Sequence, residues 1–196
     1  MKKNEDPRLI ATRTHALDAS LQLLQEEGVL AVTHASVSAA TGISRSTLYR
    51  HWPTLHDLRN SAFLRAATSQ VFSPKTNGPL KTDLIWLLGG LVTALNDTPW
   101  GQVAPQVVAA AATDSQTRAV INTFMQDRFQ YVREAFEAAK SRGEVASDVD
   151  VTPLIEMVIA VPYFRKLIAG LPLDHQWLES HVDLICRLAT EQQAAK

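Results

Sequence analysis

Residues 33–52 read Thr-His-Ala-Ser-Val-Ser-Ala-Ala-Thr-Gly-Ile-Ser-Arg-Ser-Thr-Leu-Tyr-Arg-His-Trp. The stretch predicts two short helices joined at a glycine. Thr33 is a good N-cap, because its hydroxyl can accept from the free N–H groups of a first helical turn. Val37 and Ala40 form a short inward stripe, with Ser38 and Ala39 small enough to let a second helix cross closely. Gly42 stands where the first helix must stop, since glycine enters the left-handed region without a Cβ penalty. Ile43 plugs the turn, and Ser44 caps the second helix with Thr47 three residues on. Leu48 and Trp52, four apart, anchor that helix. Arg45, Ser46, Tyr49 and Arg50 then point away from the core. This is the layout of a helix-turn-helix, whose second helix lies in the major groove of DNA.

The exposed chemistry suits that role. Arginine grips guanine edges bidentately, hydroxyls bond bases or phosphates, and a helix N-terminus attracts phosphate. A glycine turn alone also fits an ordinary helical hairpin, so the flanking residues decide. They include Ala16-Leu17-Asp18-Ala19 to Leu23-Leu24-Gln25-Glu26-Glu27-Gly28, Val32-Thr33, and Thr41-Gly42-Ile43-Ser44. Thr47-Leu48-Tyr49-Arg50-His51-Trp52-Pro53 and Asp57-Leu58 follow in order. Over about residues 8–66 the chain resembles the N-terminal domain of the TetR/AcrR family of bacterial transcription regulators.

The resemblance implies roles by position. Residues matching Arg45 and Ser46 face bases, and those matching Thr47, Tyr49 and His51 touch phosphates or adjacent bases. With Thr33, Ser44 and Arg50 they make the expected DNA-binding set. Two positions depart from the family. Leu55, followed by His56, stands where a phosphate-contacting lysine is common, and Ala35 where some members carry a base-reading arginine. Fewer fixed charges predict a shallow salt dependence of binding.

Charge is distributed in the same sense. Residues 1–66 hold eight Lys/Arg (Lys2, Lys3, Arg8, Arg13, Arg45, Arg50, Arg59, Arg65) against six acids, although the whole chain is at −1. So small an asymmetry matters less than its placement on one helix. With 196 residues, 46% of them hydrophobic, a packed core is readily built. The single cysteine, Cys186, excludes an intrachain disulfide and fits a reducing cytoplasm. Lys2 and Lys3 precede no apolar run, so no secretory signal is expected. The longest apolar stretch, Leu84 to Leu95, is too short to span a bilayer.

The period remains helical throughout. A first helix presents Ile10, Thr14, Leu17, Leu21 and Leu24 and ends at Gly28. A fourth runs from about Thr54 to Phe72, roughly 28 Å at 1.5 Å per residue, and breaks at Ser73–Pro79. A fifth carries Leu84, Leu88, Leu91 and Leu95; a turn covers Asn96–Gly101, and a short sixth helix Val103–Ala112. Asp114 or Ser115 caps a long seventh that stops at Gly143. Pro153 opens an eighth, kinked at Pro162, and Asp174 caps a ninth with Leu178, Val182, Ile185 and Ala189 inward. The expected fold is all-α, with about nine helices. A three-helix helix-turn-helix domain occupies 1–53, and a helical-bundle ligand-binding and dimerisation domain occupies 54–196.

Helix eight is apolar on more than one side (Leu154, Ile155, Val158, Ile159, Val161). With helix nine it forms the expected homodimer interface, as the resemblance implies. Trp86, Trp100, Phe124, Met125, Phe129, Tyr131, Met157 and Tyr163 are candidates for lining an effector pocket, though residues of these types at helical spacing also build plain cores. His175, Glu179 and Asp183 share a helix face, yet no second cluster accompanies them, so a solvated face is expected and no metal. No nucleophile elbow, phosphate loop or paired-carboxylate site is present, which argues against an enzyme or a cofactor. The expected function is a cytoplasmic, sequence-specific regulator, a repressor released from a palindromic double-stranded operator by a small-molecule effector. A regulator controlled by a protein partner is the alternative.

Overall fold

The computed structural model describes residues 6–68 and 78–191, and among them it holds nine α-helices and no strand. These are α1 (Pro7–Glu26), α2 (His34–Thr41), α3 (Arg45–His51), α4 (Leu55–Ala67) and α5 (Leu80–Asp97). They continue with α6 (Pro99–Thr113), α7 (Ser115–Ser141), α8 (Thr152–Tyr163) and α9 (His175–Glu191). A 3₁₀ turn covers Val29–Ala31 and a π-helical turn Phe164–Ile168. The all-α expectation holds. No described helix is long and apolar enough to cross a membrane.

The helices form two compact units that do not follow chain order. Residues 1–70 and 98–121 make one; residues 71–97 and 122–196 make the other. The expected cut at residue 53 is therefore not where packing divides the chain. In the first unit α6 packs on α1 and α4, burying Trp100, Val103, Ala104, Val107 and Ala111. Gln106 Nε2 donates to the Leu24 carbonyl at 3.1 Å, satisfying one of the orphan acceptors at the end of α1. Thr98 caps α6 and Pro99 fills its first position, so the helix starts inside the expected turn.

Helix α1 is rotated from the expected stripe. Ala16, Ser20 and Leu24 are buried, whereas Ile10 and Thr14 are exposed. Ser20 is accommodated because its hydroxyl donates to the Ala16 carbonyl at 2.8 Å. Small side chains on this face let α4 come close, with Leu58, Ala62, Phe63 and Ala66 buried along it. Among the described residues α4 ends at Ala67 with Thr68 as C-cap. Its expected continuation to Phe72 and most of the break at Ser73–Pro79 lie outside them.

The second unit is built on one core. Leu84 and Leu88 of α5, Phe136 of α7, Ile155 of α8, and Val182 and Ile185 of α9 are its fully buried centre. Cys186 is half-buried beside it, and burial pushes the thiol up to about 11, the signature of a small apolar side chain rather than a reactive thiolate. On α9, Asp183 Oδ1 pairs with Lys81 Nζ of α5 at 2.6 Å, while His175 and Glu179 stay exposed. That face is a solvated, salt-bridged surface. Pro162 lacks the N–H that would reach Val158, and the chain loosens just beyond it: Ala169 N donates to Phe164 O at 2.9 Å, an i→i+5 bond.

A polar network holds the start of α5. Leu80 N donates to Glu144 Oε2 at 2.7 Å, and Arg142 Nε to Glu144 Oε1 at 2.5 Å. Asp83, almost fully buried, accepts from Gly78 N at 3.2 Å, with Arg142 at 3.9 Å. Burial pushes the Asp83 carboxyl up, while the Leu80 N–H and Arg142 hold Glu144 down. A depressed carboxylate stabilises the fold above its ordinary range, and that contribution is lost as pH falls through the folded value. Glu144→Gln should accordingly lower Tm at pH 7 by about 2–4 °C, and the difference should shrink toward pH 3 in thermal melts. An equal difference at both pH values would assign the effect to packing.

Candidate nucleic-acid interface

Helix α2 starts in a reciprocal capping box. Thr33 Oγ1 accepts from Ser36 N at 3.0 Å, and Ser36 Oγ accepts from Thr33 N at 3.0 Å. Gly42, at φ 73°, ends the helix in the left-handed conformation, its N–H donating to Ser38 O at 2.9 Å. Ser44 caps α3 by accepting from Thr47 N at 3.2 Å, and its hydroxyl lies 3.0 Å from that of Ser46 and 2.9 Å from that of Thr47. Three hydroxyls thus gather at the first turn of α3.

The inward face of α2 differs from the expected one. Val37 is buried, Ala40 is exposed, and His34 takes the second inward position. Its Nε2 lies 2.7 Å from the Trp52 carbonyl. A carbonyl only accepts, so His34 Nε2 carries a proton and donates. The imidazole also stacks on Tyr49, with centroids 4.0 Å apart and planes at 22°. Leu48 and Trp52 are buried as their spacing predicts, and Trp52 Nε1 donates to Ser61 Oγ of α4 at 2.9 Å. Arg59 Nε donates to the Val32 carbonyl at 3.1 Å, tying α4 to the start of α2.

These contacts leave one face of α3 open. Arg45, Ser46, Tyr49 and Arg50 are exposed with Ser44 beside them; Thr33, Thr47 and His51 are half-buried. The His51 ring sits against Trp52 at 5.7 Å. The basic residues separate by location. Arg59 turns inward, and Arg65 pairs with Asp18 at 2.8 Å, while Arg8, Arg13, Arg45 and Arg50 remain at the surface. At the start of α4, where the lysine is missing, Leu55 is exposed and His56 Nδ1 faces Asp114 Oδ2 at 3.4 Å. The Thr117 hydroxyl and N–H hold that Asp114 carboxyl below the usual range. One face with two guanidiniums, a phenol and clustered hydroxyls can bond phosphate oxygens and base edges.

The sequence relationships agree with this geometry. Residues 16–61 match the family model for bacterial regulatory proteins of the tetR family, and residues 74–185 match that for the tetracyclin repressor-like C-terminal domain. The chain belongs to the TetR family. It is 30% identical to an uncharacterized HTH-type transcriptional regulator of Mycobacterium tuberculosis, over 87% of this chain and 83% of that one. It is also 30% identical to the DNA-binding transcriptional repressor TetR of Mycobacteroides abscessus, over 88% and 90%. The crystal structure of TetR family transcription regulator SCO0332 superposes with a TM-score of 0.68 at 26% identity, covering 89% of this chain and 96% of the other. This protein is thus a helix-turn-helix transcriptional regulator, and TetR regulators are not enzymes.

The aromatic and methionine candidates for an effector site do not all fall together. Met125, Phe129, Tyr131, Met157 and Tyr163 pack half-buried around the core of the second unit, with Phe124 half-buried on the same stretch of α7. Trp86 is half exposed, and Trp100 is buried in the first unit with α6. His34, Ser36 and Arg59 are structural supports of α3 that the sequence pattern passes over. His34→Ala would leave the Trp52 carbonyl without its donor and Tyr49 without its stacking partner. It should cost about 1–3 kcal/mol in urea unfolding, whereas Tyr49→Phe should cost little; equal small losses would show that the stack supports nothing.

Proposed function

We propose that this TetR regulator is a homodimeric repressor that α3 docks onto a palindromic operator, and that a small molecule bound in the second unit releases it. The observation that carries the reading is the division of α3 into a face fixed by Leu48, Trp52 and His34 and a face of exposed Arg45, Ser46, Tyr49 and Arg50. In this reading Arg45 and Ser46 face bases. Thr47, Tyr49, Arg50 and His51 engage phosphates or neighbouring bases. Thr33 and Ser44 orient the first turns of α2 and α3 toward the backbone. The relative from Mycobacteroides abscessus, itself a repressor, supports the sign of regulation.

Surface left apolar beyond α8 supports dimerisation. Phe164 is 55% exposed and Ile168 75%, and Leu184 of α9 adds to the exposed apolar surface. Pairing α8 and α9 with their copies would cover such surface. It would also give the two-fold symmetry that sets recognition helices about one DNA turn, roughly 34–36 Å, apart. An effector with higher affinity for a different separation shifts the population away from DNA. The cytoplasm, where the operator lies, is the site of action.

Selection from a random duplex library by the purified protein should enrich an inverted repeat. On that site Arg45→Ala should weaken binding by about 1–3 kcal/mol while leaving random DNA nearly unaffected. Tyr49→Phe should lower affinity without changing the preferred sequence. No enrichment at low salt would contradict the operator reading, and equal losses on both DNAs would move Arg45 to the phosphates.

A further inference from the structure

His34 is the first residue of α2 and is only 3% exposed. Its backbone is held on both sides. Arg59 Nε donates to the Val32 carbonyl just before it, and the Thr33–Ser36 capping box closes the turn it belongs to. The ring is held as well, because Nε2 donates at 2.7 Å to the carbonyl of Trp52, the C-cap of α3. With backbone and ring nitrogen both fixed, the imidazole is a platform rather than a mobile side chain.

Tyr49 of α3 lies on that platform. The two rings stack across the helix pair with centroids 4.0 Å apart and planes at 22°. The rest of the tyrosine faces outward, and the residue is 51% exposed. A half-exposed tyrosine on a helix ordinarily samples more than one staggered well, and settling into one costs affinity when it binds. Here the imidazole occupies one ring face beforehand, so Tyr49 meets a partner in the conformation it already holds. Only a flat ring does this. A side chain with the donor but no ring would satisfy the Trp52 carbonyl and leave Tyr49 unsupported. The two tasks of His34 are therefore separable by substitution.

We propose that His34 is a positioning residue for DNA binding, which stays off the duplex and sets affinity by aiming the Tyr49 hydroxyl at a backbone phosphate. This rests on the reading of Tyr49 as a DNA contact and adds the group that orients it. A phosphate is the same on every sequence, so His34 governs affinity and not the preferred site.

Fluorescence anisotropy with the full chain tests this, on labelled duplexes carrying the selected operator and a random sequence. His34→Gln keeps an amide donor for the Trp52 carbonyl and removes the ring. It should weaken both duplexes by about fivefold. Tyr49→Phe keeps the stack, removes the hydroxyl, and should weaken both to a similar degree. In the Tyr49→Phe background, His34→Gln should cost less than about twofold more, since no hydroxyl is left to aim. The full fivefold loss in both backgrounds would make His34 a general support of α3 and overturn the proposal. Loss from Tyr49→Phe with none from His34→Gln would overturn the positioning role and leave the Tyr49 contact standing. No loss from Tyr49→Phe alone would overturn both. Carbon relaxation of the Tyr49 ring in the DNA-free wild-type protein keeps the test open if a variant fails to fold. An order parameter near that of rigid backbone, about 0.85, is expected, and one below about 0.6 would overturn the proposal.

Discussion

A helix of seven residues cannot sustain itself in water, because nucleation costs more than so few backbone bonds return. α3 is such a helix, and its geometry is therefore set by its surroundings. Leu48 and Trp52 seat it, the Ser44 hydroxyl closes its first turn, and the His34 imidazole ties the carbonyl of its C-cap, Trp52, to α2. The same imidazole lies flat against Tyr49, so one buried ring both holds the helix and steadies an outward side chain. A DNA-reading face has to be rigid before contact, since ordering it on the duplex would subtract from affinity. The arrangement around His34 supplies that rigidity without spending any exposed residue.

Support reaches α3 from further out as well. α4 receives the Trp52 indole at Ser61 and grips the Val32 carbonyl through Arg59. α4 in turn packs on α1 and α6. The chain passes between the two units after residue 70, at residues 97–98 and within α7 at 121–122. α7 thus has residues in both units.

What was legible in the sequence was local. Caps and stops at Thr33, Gly42, Ser44, Asp114 and Gly143 follow from chemistry within three or four residues, and each stands where expected. The α9 stripe is strongly periodic and is buried as written. Readings that needed a distant partner fared differently. Ala16 and Ser20 carry too little hydrophobicity to mark the inward face of α1, which helix approach defines instead. His34 is polar by composition and becomes a core residue only because the Trp52 carbonyl, 18 residues on, needs a donor. That α6 joins the DNA-binding unit is a tertiary fact with no local signature. Trp100 illustrates the cost, since its type suggests a pocket and its helix places it in another unit.

The account stands on α3 presenting Arg45 and its neighbours to the floor of the major groove. Dimethyl sulfate interference on the selected operator reads this directly, because it methylates guanine N7 in the major groove and adenine N3 in the minor. The account predicts interference at guanine N7 in each half-site, with one such position losing its effect when Arg45 is replaced by alanine. Interference confined to adenine N3, or unchanged by that replacement, would contradict it.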